Sequence, residues 1–363
     1  MATLYVTEQG SEIRCDGERL VVRRDDTCIG SIPLIKVEDV VIVGNIGIST
    51  PAIKRLLDLG VNVTFLTVEG RYHGRLVGSV SAHAALRAAQ YHRLADREWS
   101  LRLAQRFVEG KLRNCRALLR RFARNRAEVA TDVESAADDL EWFIERVPRT
   151  TTLNSLMGVE GSATARYFGG VRALIGPEWR FEARIRRPPP DRVNALLSFG
   201  YTLLVHKMLG AVESVGFDPY AGFLHQIDYG RPSLVLDLIE EFRPLLVDSL
   251  VIRCCNDGRI AFDDFTSRTQ FSNSCSGSCN DGRIAFDDFT ETPDGAYPVL
   301  LSDEGKRRFV AAFEERMRTT VTHPDGADGR PGKVDYLRCL TLQARRLARA
   351  VQGGADYEPL VAR

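Results

Sequence analysis

The sequence predicts an α+β protein in which a small β-rich domain, residues 1–82, precedes a larger and mostly α-helical domain, residues 83–363. Three observations support this fold class. Short runs of β-branched residues alternate with turn residues up to about residue 80. From about Ala84 onward, apolar residues recur at helical spacing over long stretches. A chain of 363 residues with 44% hydrophobic content can also build two cores of unequal size.

The first domain is predicted to contain a series of short strands and one helix. The strands are indicated by the runs LYV, RLVVRR, DVVIV, VNVTFLT and YHGRLV. The helix lies between the third and fourth runs, with Thr50 as its cap, Pro51 at its first position and Gly60 at its end.

The second domain is predicted to consist mainly of long helices. Apolar periodicity places helices at residues 132–147, 152–175, 191–215, 233–242, 302–318 and 336–351. Two stretches rich in proline or glycine are predicted as loops. Residues 184–191 end in Asp191, a plausible N-cap, and residues 322–332 are expected to be a mobile connection.

The basic residues are distributed unevenly, although the net charge is only +1. Residues 87–126 contain twelve Lys/Arg and three acids, so the rest of the chain is net acidic. Interleaved leucines indicate a long amphipathic helix with a basic face. Such a face is either a solvated helix surface or a phosphate-binding surface, and the planar guanidinium of arginine slightly favours the second.

The N-terminus, MATLYVTEQGSE, lacks the basic start and apolar run of a signal peptide, and no stretch is predicted to span a bilayer. We therefore expect a cytoplasmic protein without a membrane partner and with reduced cysteines. Four of the eight cysteines cluster, at positions 254, 255, 275 and 279. A zinc site is one interpretation of this cluster, but the paired CxxC spacing of such sites is missing.

One segment occurs twice: CNDGRIAFDDFT is found at residues 255–266 and again at residues 279–290. Two copies are too few for a solenoid, so we interpret the repeat as a local tandem duplication. Residues 255–290 are expected to form a surface segment, because lengthening a loop costs little entropy. The acidic pairs at 263–264 and 287–288 are expected to be solvated, with a second metal site as the alternative.

The segment HQIDYGRPSLVLDLIEEFRP, residues 225–244, predicts a short helix that carries acids. Pro232 suits its first turn, apolar residues four apart give it a buried face, and Pro244 is expected to end it.

Carboxylates crowd the opposite side of this predicted helix. Asp237, Glu240 and Glu241 lie three and four residues apart, where like charges repel unless a cation sits between them. With His225 they make a mixed nitrogen and oxygen donor set, which favours Mg²⁺ or Mn²⁺ over zinc.

Glu160 is the best candidate for a further donor from elsewhere in the chain. It lies in the run LNSLMGVEGSATARYF, where Gly158 and Gly161 leave a helix surface bare for close approach by another segment or by DNA. Each candidate also has a structural alternative: a hydrogen-bonded histidine, an exposed helical acid, or a solvated Glu240/Glu241 face. Their conjunction favours a site.

The chain resembles the CRISPR-associated protein one family, the integrase of CRISPR adaptation, over essentially its whole length. The resemblance is carried by MGVEGSATARYF, RRPPPDRVNALLSFGY, GFLHQIDYGRPSLVLDLIEEFRP and LQARRLARAV. It implies an N-terminal β-rich domain that mediates dimerisation and a helical, metal-binding catalytic domain. By motif, Glu160, His225 and Glu240 match the metal ligands, and Asp237 is a neighbouring acid with a catalytic role.

The resemblance further implies a metal-dependent DNA integrase and endonuclease that inserts protospacer DNA into the repeat array by 3′-hydroxyl attack on a phosphodiester. The implied partners are double-stranded DNA (protospacer and CRISPR repeat), a second copy of the chain, the small CRISPR-associated protein two and a protospacer-processing nuclease. Arginines close to these acids in sequence are either phosphate ligands or structural ion-pair partners, namely Arg166, Arg184, Arg231 and Arg243.

Two other functions remain open from the sequence. A stand-alone nuclease on branched DNA in repair would use the same ligands without a partner protein, whereas a non-catalytic DNA-binding scaffold would use the acids only to balance arginines. A phosphate-binding loop is the weakest interpretation, because GNIGIST at residues 44–50 lacks the lysine of such loops.

Overall fold

The computed structural model describes residues 2–68, 72–76, 83–124, 130–186, 189–267, 299–327 and 329–362. The chain forms two compact units, Met1–Ala82 and His83–Arg363. The first is rich in strands and the second in helices, as the predicted fold class requires.

Two four-stranded sheets and one helix make up the N-terminal unit. Its elements are β1 Ala2–Val6, β2 Glu12–Asp16, β3 Arg19–Arg24, β4 Thr27–Pro33, β5 Val37–Val43, β6 Gly47–Ile48, α1 Thr50–Asp58, β7 Asn62–Leu66 and β8 Tyr72–Leu76. One sheet has the order β1-β5-β7-β8 and the other β4-β3-β2-β6. The first three strands of the first sheet are parallel, and β8 is antiparallel to β7.

The predicted strands of this unit are present, and three further strands were missed. β2 and β4 carry charged or exposed residues, which hide the alternation, and β6 is only two residues long. The helix α1 is capped by Ser49, whose hydroxyl accepts a hydrogen bond from the Ala52 N–H, so the predicted cap at Thr50 is one residue late. Gly60 follows its end with a left-handed φ of 69°.

The C-terminal unit is built from nine described helices with two small two-stranded antiparallel sheets. They are α2 Ala84–Ala95, α3 Arg97–Ala123, α4 Ala130–Arg146, α5 Leu153–Leu174, α6 Arg192–Val215, α7 Ser233–Ile239, α8 Ser249–Asn256, α9 Asp303–Met317, α10 Tyr336–Val351, with β9 Phe265–Ser267 paired to β10 Val299–Leu301 and β11 Thr320–Ala327 paired to β12 Arg330–Asp335. Helices α3, α4 and α5 pack against one another, and α6 packs against α10.

Helix α6 is the apolar centre of this unit. Asp191 caps it as predicted, accepting a hydrogen bond from the Asn194 N–H at 2.8 Å. Among the described residues it is the one helix long and apolar enough to span a membrane, yet 72% of its apolar window is buried inside the protein. It therefore packs as a core helix.

The basic stretch forms two helices instead of one. Asp96 separates α2 from α3 because its carboxylate accepts a hydrogen bond from the Trp99 N–H at 3.0 Å and so caps the second helix.

The predicted mobile connection at residues 322–332 is wrong. This stretch belongs to the β11–β12 hairpin, in which His323 is buried and its Nε2 lies 3.0 Å from Gln343 Oε1 on α10. Contact with the long helix orders a segment whose own composition favours turns.

The first copy of the repeat is a surface segment only in part. Residues 257–259 and 261–263 are exposed, whereas Cys255, in the last turn of α8, and Ile260 are buried. Asp264 is also buried, and its carboxylate accepts hydrogen bonds from the Ala261 N–H at 2.8 Å and from Arg308 at 3.3 Å. Only Asp263 of this acidic pair is exposed, as expected. The second copy, with residues 287–288, lies outside the described residues.

The cysteine cluster is only partly described. Burial raises the pKa of Cys254 to about 12 and also raises that of Cys255, so both side chains remain uncharged thiols. Residues 275 and 279 lie outside the described part of the chain.

Candidate functional site

Three of the sequence-predicted residues meet in the interior of the C-terminal unit. Glu160 lies in the middle of α5, His225 lies in the segment before α7, and Glu240 directly follows the last residue of α7. Glu240 is almost fully buried, whereas Glu160 and His225 are partly exposed. Residues far apart in sequence thus present an imidazole and two carboxylates to one buried place.

The backbone at Glu240 differs from the predicted helix 233–242. Helix α7 ends at Ile239, a π-helical turn runs from Arg243 to Asp248, and α8 continues from Ser249. Pro244 therefore does not stop the helical path; it lies in the first turn of the next helical segment, where its missing N–H costs no hydrogen bond.

Asp237 fixes the orientation of His225. Its Oδ2 accepts the N–H groups of Phe223 and Leu224 at 2.6 and 3.0 Å, and its Oδ1 accepts the His225 N–H at 2.9 Å. The His225 Nδ1 lies 2.7 Å from the same Oδ1. A carboxylate flanked by donors accepts the Nδ1 proton, which leaves the Nε2 lone pair of the neutral ring available to a cation.

Glu240 lies beside the cationic groups of Lys111 and Arg243 and beside the His225 ring. Its Oε1 lies 3.0 Å from Arg243 Nη1 and 3.9 Å from His225 Nε2, and its Oε2 lies 2.8 Å from Lys111 Nζ. Burial by itself raises the pKa of Glu240, but Arg243, Lys111 and His225 together lower it to about 2. The carboxylate is therefore charged at neutral pH despite its burial.

Glu160 shares the Lys111 ammonium with Glu240. Lys111 donates a hydrogen bond to Glu160 Oε1, and the Thr164 hydroxyl donates to the same oxygen at 3.0 Å. Gly158 and Gly161 lie on the same helix and border open space. An added Cβ at either position would meet nothing within 4 Å among the described residues. The bare surface inferred from the sequence is therefore present beside Glu160.

Glu241 belongs to a different cluster and is neither solvated nor part of the candidate site. Gln343 and the Tyr357 hydroxyl donate to its Oε1 at 2.8 and 2.9 Å, and the Leu360 N–H donates to its Oε2 at 2.9 Å. Burial raises the pKa of Glu241 to about 8, although these hydrogen bonds oppose the rise. The structural alternative of a solvated Glu240/Glu241 face is wrong, since both residues are buried.

The four predicted phosphate-binding arginines have different surroundings. Arg166 pairs with Asp139 on α4, and Arg184 is mostly buried with hydrogen bonds to Asn194 Oδ1 and Ser198 Oγ at 2.8 and 3.0 Å. Arg243 pairs with Glu240. The Arg231 side chain makes no hydrogen bond or ion pair within the part of the chain that the structure describes, so it is the arginine best placed for an external ligand.

Part of the basic stretch is paired with acids on the helix surface. Its paired residues within α3 and between α3 and α4 are Arg102–Glu98, Arg106–Glu109, Arg113–Glu109, Arg116–Glu141 and Arg120–Asp138. Five of its twelve cationic residues form these pairs and two of them share Glu109, so ion pairing accounts for only part of the charge and both interpretations of this stretch stay open.

The donor chemistry fits a divalent cation, although one side chain must move. Two charged carboxylates and a free imidazole nitrogen suit Mg²⁺ or Mn²⁺, and Glu240 Oε2 is a buried oxygen without a hydrogen bond. Within the described ranges, however, no three His, Cys, Asp or Glu side chains are arranged to hold a metal ion. The ammonium of Lys111 stands between the two carboxylates.

A β-rich unit followed by a helical unit with this buried cluster defines a protein with a candidate site for a divalent cation. The chain belongs to the family described as CRISPR associated protein Cas1, whose model matches residues 4–277.

Relatives and a solved structure agree with this membership. The chain is 36% identical to "CRISPR-associated endonuclease Cas1 1" of Chlorobaculum tepidum, over 99% of this chain and 98% of the relative. It is 34% identical to a "CRISPR-associated exonuclease Cas4/endonuclease Cas1 fusion" of Geobacter sulfurreducens, covering 98% of this chain but only 59% of the fusion. A chain of a "Cas6-RT-Cas1--Cas2 complex" superposes with a TM-score of 0.78 and 25% identity, covering 100% of this chain and 36% of that chain.

Proposed function

We propose that this protein is a metal-dependent DNA integrase and endonuclease of CRISPR adaptation. The convergence of Glu160, His225 and Glu240 on one buried place, in a chain of the Cas1 family, carries the proposal. The relatives named endonucleases and the solved complex that contains Cas1 and Cas2 support it.

Glu160, His225 and Glu240 would hold the cation, Mg²⁺ or Mn²⁺. Bound there, the ion would polarise a phosphodiester oxygen, lower the pKa of the attacking hydroxyl or water and neutralise developing charge.

The chain's own residues prepare the site for this chemistry. Asp237 holds His225 in the tautomer that presents Nε2, and Arg243 keeps Glu240 ionised in its buried position. The open surface beside Gly158 and Gly161 gives a phosphodiester access to Glu160. Arg231, close to His225 in sequence, is left to contact a flanking phosphate.

The proposed partners are double-stranded protospacer and repeat DNA, a second copy of the chain and the small protein Cas2. The solved complex that contains Cas1 and Cas2 supports the last of these, and the fused exonuclease of the Geobacter relative supports a processing nuclease as a further partner. The cytoplasmic location stays a prediction from the sequence.

A strand-transfer assay tests the proposal. Protospacer DNA with a free 3′-hydroxyl is incubated with a repeat-containing plasmid, the small partner and Mn²⁺. We expect Glu160→Gln and Glu240→Gln to abolish joining while DNA binding in a gel shift is retained. Glu98→Gln is the matched control, because Glu98 forms an exposed pair with Arg102 on α3.

The same assay separates the alternatives. Joining that persists in Glu240→Gln overturns the proposed site. Cleavage of branched DNA by the wild-type chain without joining, whether or not the partner is present, identifies a repair nuclease. DNA binding without either reaction identifies a scaffold.

A further inference from the structure

Lys111 is a buried cation at the centre of the candidate site. It lies on α3, its side chain is only 6% exposed, and its ammonium contacts one carboxylate from α5 and one that follows α7. A buried lysine is costly unless acids compensate its charge, and here both compensating acids are the proposed ligands Glu160 and Glu240.

The contact with Glu240 is electrostatic and poorly directed. Lys111 Nζ lies 2.8 Å from Glu240 Oε2, yet this oxygen has no hydrogen bond of acceptable geometry. The attraction between the two charges therefore contributes more to this contact than hydrogen bonding does, and a divalent ion can compete for the same oxygen.

An ion and the ammonium cannot occupy this place together. Mg²⁺ or Mn²⁺ binds carboxylate oxygens at about 2.1 Å, closer than the Lys111 nitrogen stands to Glu240 Oε2. Both cations would use the same two acids, and their like charges would repel at van der Waals separation in a weakly screened interior. Occupation by one therefore requires departure of the other.

The fold offers the ammonium a second position. A cavity of about 30 Å³ is lined by Lys111, Tyr201, Arg243 and Asp248 among other residues. A volume of this size accepts a group as large as a water molecule. Arg184 and Arg186 also line this cavity, and Asp248 is the acid among its lining residues. The two Asp248 oxygens accept hydrogen bonds from the hydroxyls of Tyr167 and Tyr201 at 2.8 and 2.5 Å, and the ammonium can approach this carboxylate as a further partner.

We propose that Lys111 is an internal counter-cation that competes with the divalent ion: its ammonium bridges Glu160 and Glu240 in the metal-free protein and moves toward Asp248 when the ion binds. This inference rests on the proposed metal site. In the metal-free protein Lys111 prevents repulsion between the two acids, and its departure adds a cost to metal binding. Lys111 thereby sets the metal affinity without being a ligand.

Metal affinity and stability measure this competition without any assay of activity. Mn²⁺ binding to the full chain is titrated by electron paramagnetic resonance, and Tm is recorded with and without Mn²⁺. We expect Lys111→Met to bind Mn²⁺ at least tenfold more tightly than the wild type. Its Tm without metal should be lower than that of the wild type, and Mn²⁺ should raise its Tm by more. Lys111→Gln keeps a donor for the acids and is the second variant if Lys111→Met does not fold.

Lys207→Met is the matched control. Lys207 is equally buried and its ammonium lies 3.2 Å from Glu314 Oε1, on helices that do not carry the proposed ligands. We expect it to lower Tm and leave Mn²⁺ affinity unchanged.

The outcomes separate the two proposals. The proposed role of Lys111 is overturned if both Lys111 variants bind Mn²⁺ as tightly as the wild type or less tightly. The metal site itself still stands in that case, provided that Glu240→Gln abolishes Mn²⁺ binding. Mn²⁺ binding that Glu240→Gln leaves unchanged overturns the metal site itself.

Discussion

Glu240 and Glu241 are adjacent in sequence and both are buried, yet their surroundings are opposite. Cations surround Glu240 and lower its pKa to about 2, whereas uncharged donors surround Glu241 and its pKa rises to about 8. The first cluster joins α3, α5 and the end of α7; the second joins that same end to α10 and residues 357–360. Burial alone therefore does not fix the charge of an acid; the kind of partner does.

Helical geometry explains how neighbours reach such different places. Successive side chains on a helical path point about 100° apart, so Glu240 and Glu241 face different elements. Two adjacent backbone positions thus support a charged cluster and a separate hydrogen-bond network.

The largest expected difference between the two acids is in activity. Glu240→Gln should reduce Mn²⁺-dependent DNA cleavage at least about a hundredfold, because a divalent ion supplies several kcal/mol of transition-state stabilisation. Glu241→Gln at pH 7 should change the rate by less than about threefold, since its carboxylate is mostly protonated there. Equal losses in the two variants would show that the clusters are not functionally distinct.

The effect of replacing Asp237 should lie between the effects of replacing Glu240 and Glu241. Asp237→Asn is expected to weaken Mn²⁺ binding by about ten- to a hundredfold, because the amide no longer fixes the His225 tautomer. Isothermal titration calorimetry measures the affinity, with Asp138→Asn as control for an exposed acid that pairs with Arg120. Unchanged affinity would exclude His225 as a ligand oriented by Asp237.

The two acids should also differ in the pH dependence of stability. The unfolded chain loses the Glu241 proton near pH 4.5, whereas the folded protein keeps it until about pH 8. The folded state binds more protons between these values, so raising the pH favours unfolding. From pH 6.5 to 8, the free energy of unfolding of the metal-free wild type should fall by about 1.6 kcal/mol more than that of Glu241→Gln.

Glu240 should not make the free energy of unfolding depend on pH between 6.5 and 8. Its pKa is lowered, so its stabilisation is present above pH 4.5 and is lost only as the pH falls toward 2. Urea unfolding at several pH values measures both effects. If the free energy of unfolding falls as steeply with pH in Glu241→Gln as in the wild type, Glu241 is not protonated in the folded protein.

The smallest expected effect concerns the Tyr357 hydroxyl, which donates to Glu241 and accepts a hydrogen bond from Gln343 Nε2 at 3.0 Å. Tyr357→Phe removes the hydroxyl that donates to Glu241 and should cost about 1 kcal/mol of stability. Its Mn²⁺ affinity should stay at the wild-type value. Tyr229→Phe is the control, since Tyr229 is fully exposed; a loss of metal affinity in Tyr357→Phe would mean that the two clusters are coupled.

Much of the helical fold followed from the sequence, because long amphipathic stretches carry a repeated signal. The bounds of α6 and α10 were predicted to within a residue. The β11–β12 hairpin was not, since turn-forming residues dominate it and its order depends on contact between His323 and a helix that follows in sequence.

The candidate site could be predicted from the sequence only in part. The resemblance named Glu160, His225 and Glu240, but nothing local distinguishes Glu240 from Glu241, whose partners lie about a hundred residues further along. Lys111 was missed inside a basic stretch. Its signal was available: it is the one lysine among the arginines of residues 87–126, and it lies on the buried face of α3 with Val108 and Leu112.

The end of the described chain has a consequence for biosynthesis. Asn114, one turn beyond Lys111, donates to the Leu360 carbonyl at 2.7 Å, and a Cβ at Gly110 would come within 2.4 Å of Pro359. Glu241 likewise accepts two of its hydrogen bonds from Tyr357 and Leu360. Since a ribosome releases residues in order, these contacts cannot form until residues 357–360 have emerged. A nascent chain that ends before residue 357 therefore leaves Glu241 without two of its hydrogen-bond donors and leaves a gap beside Gly110, on the turn of α3 that carries Lys111.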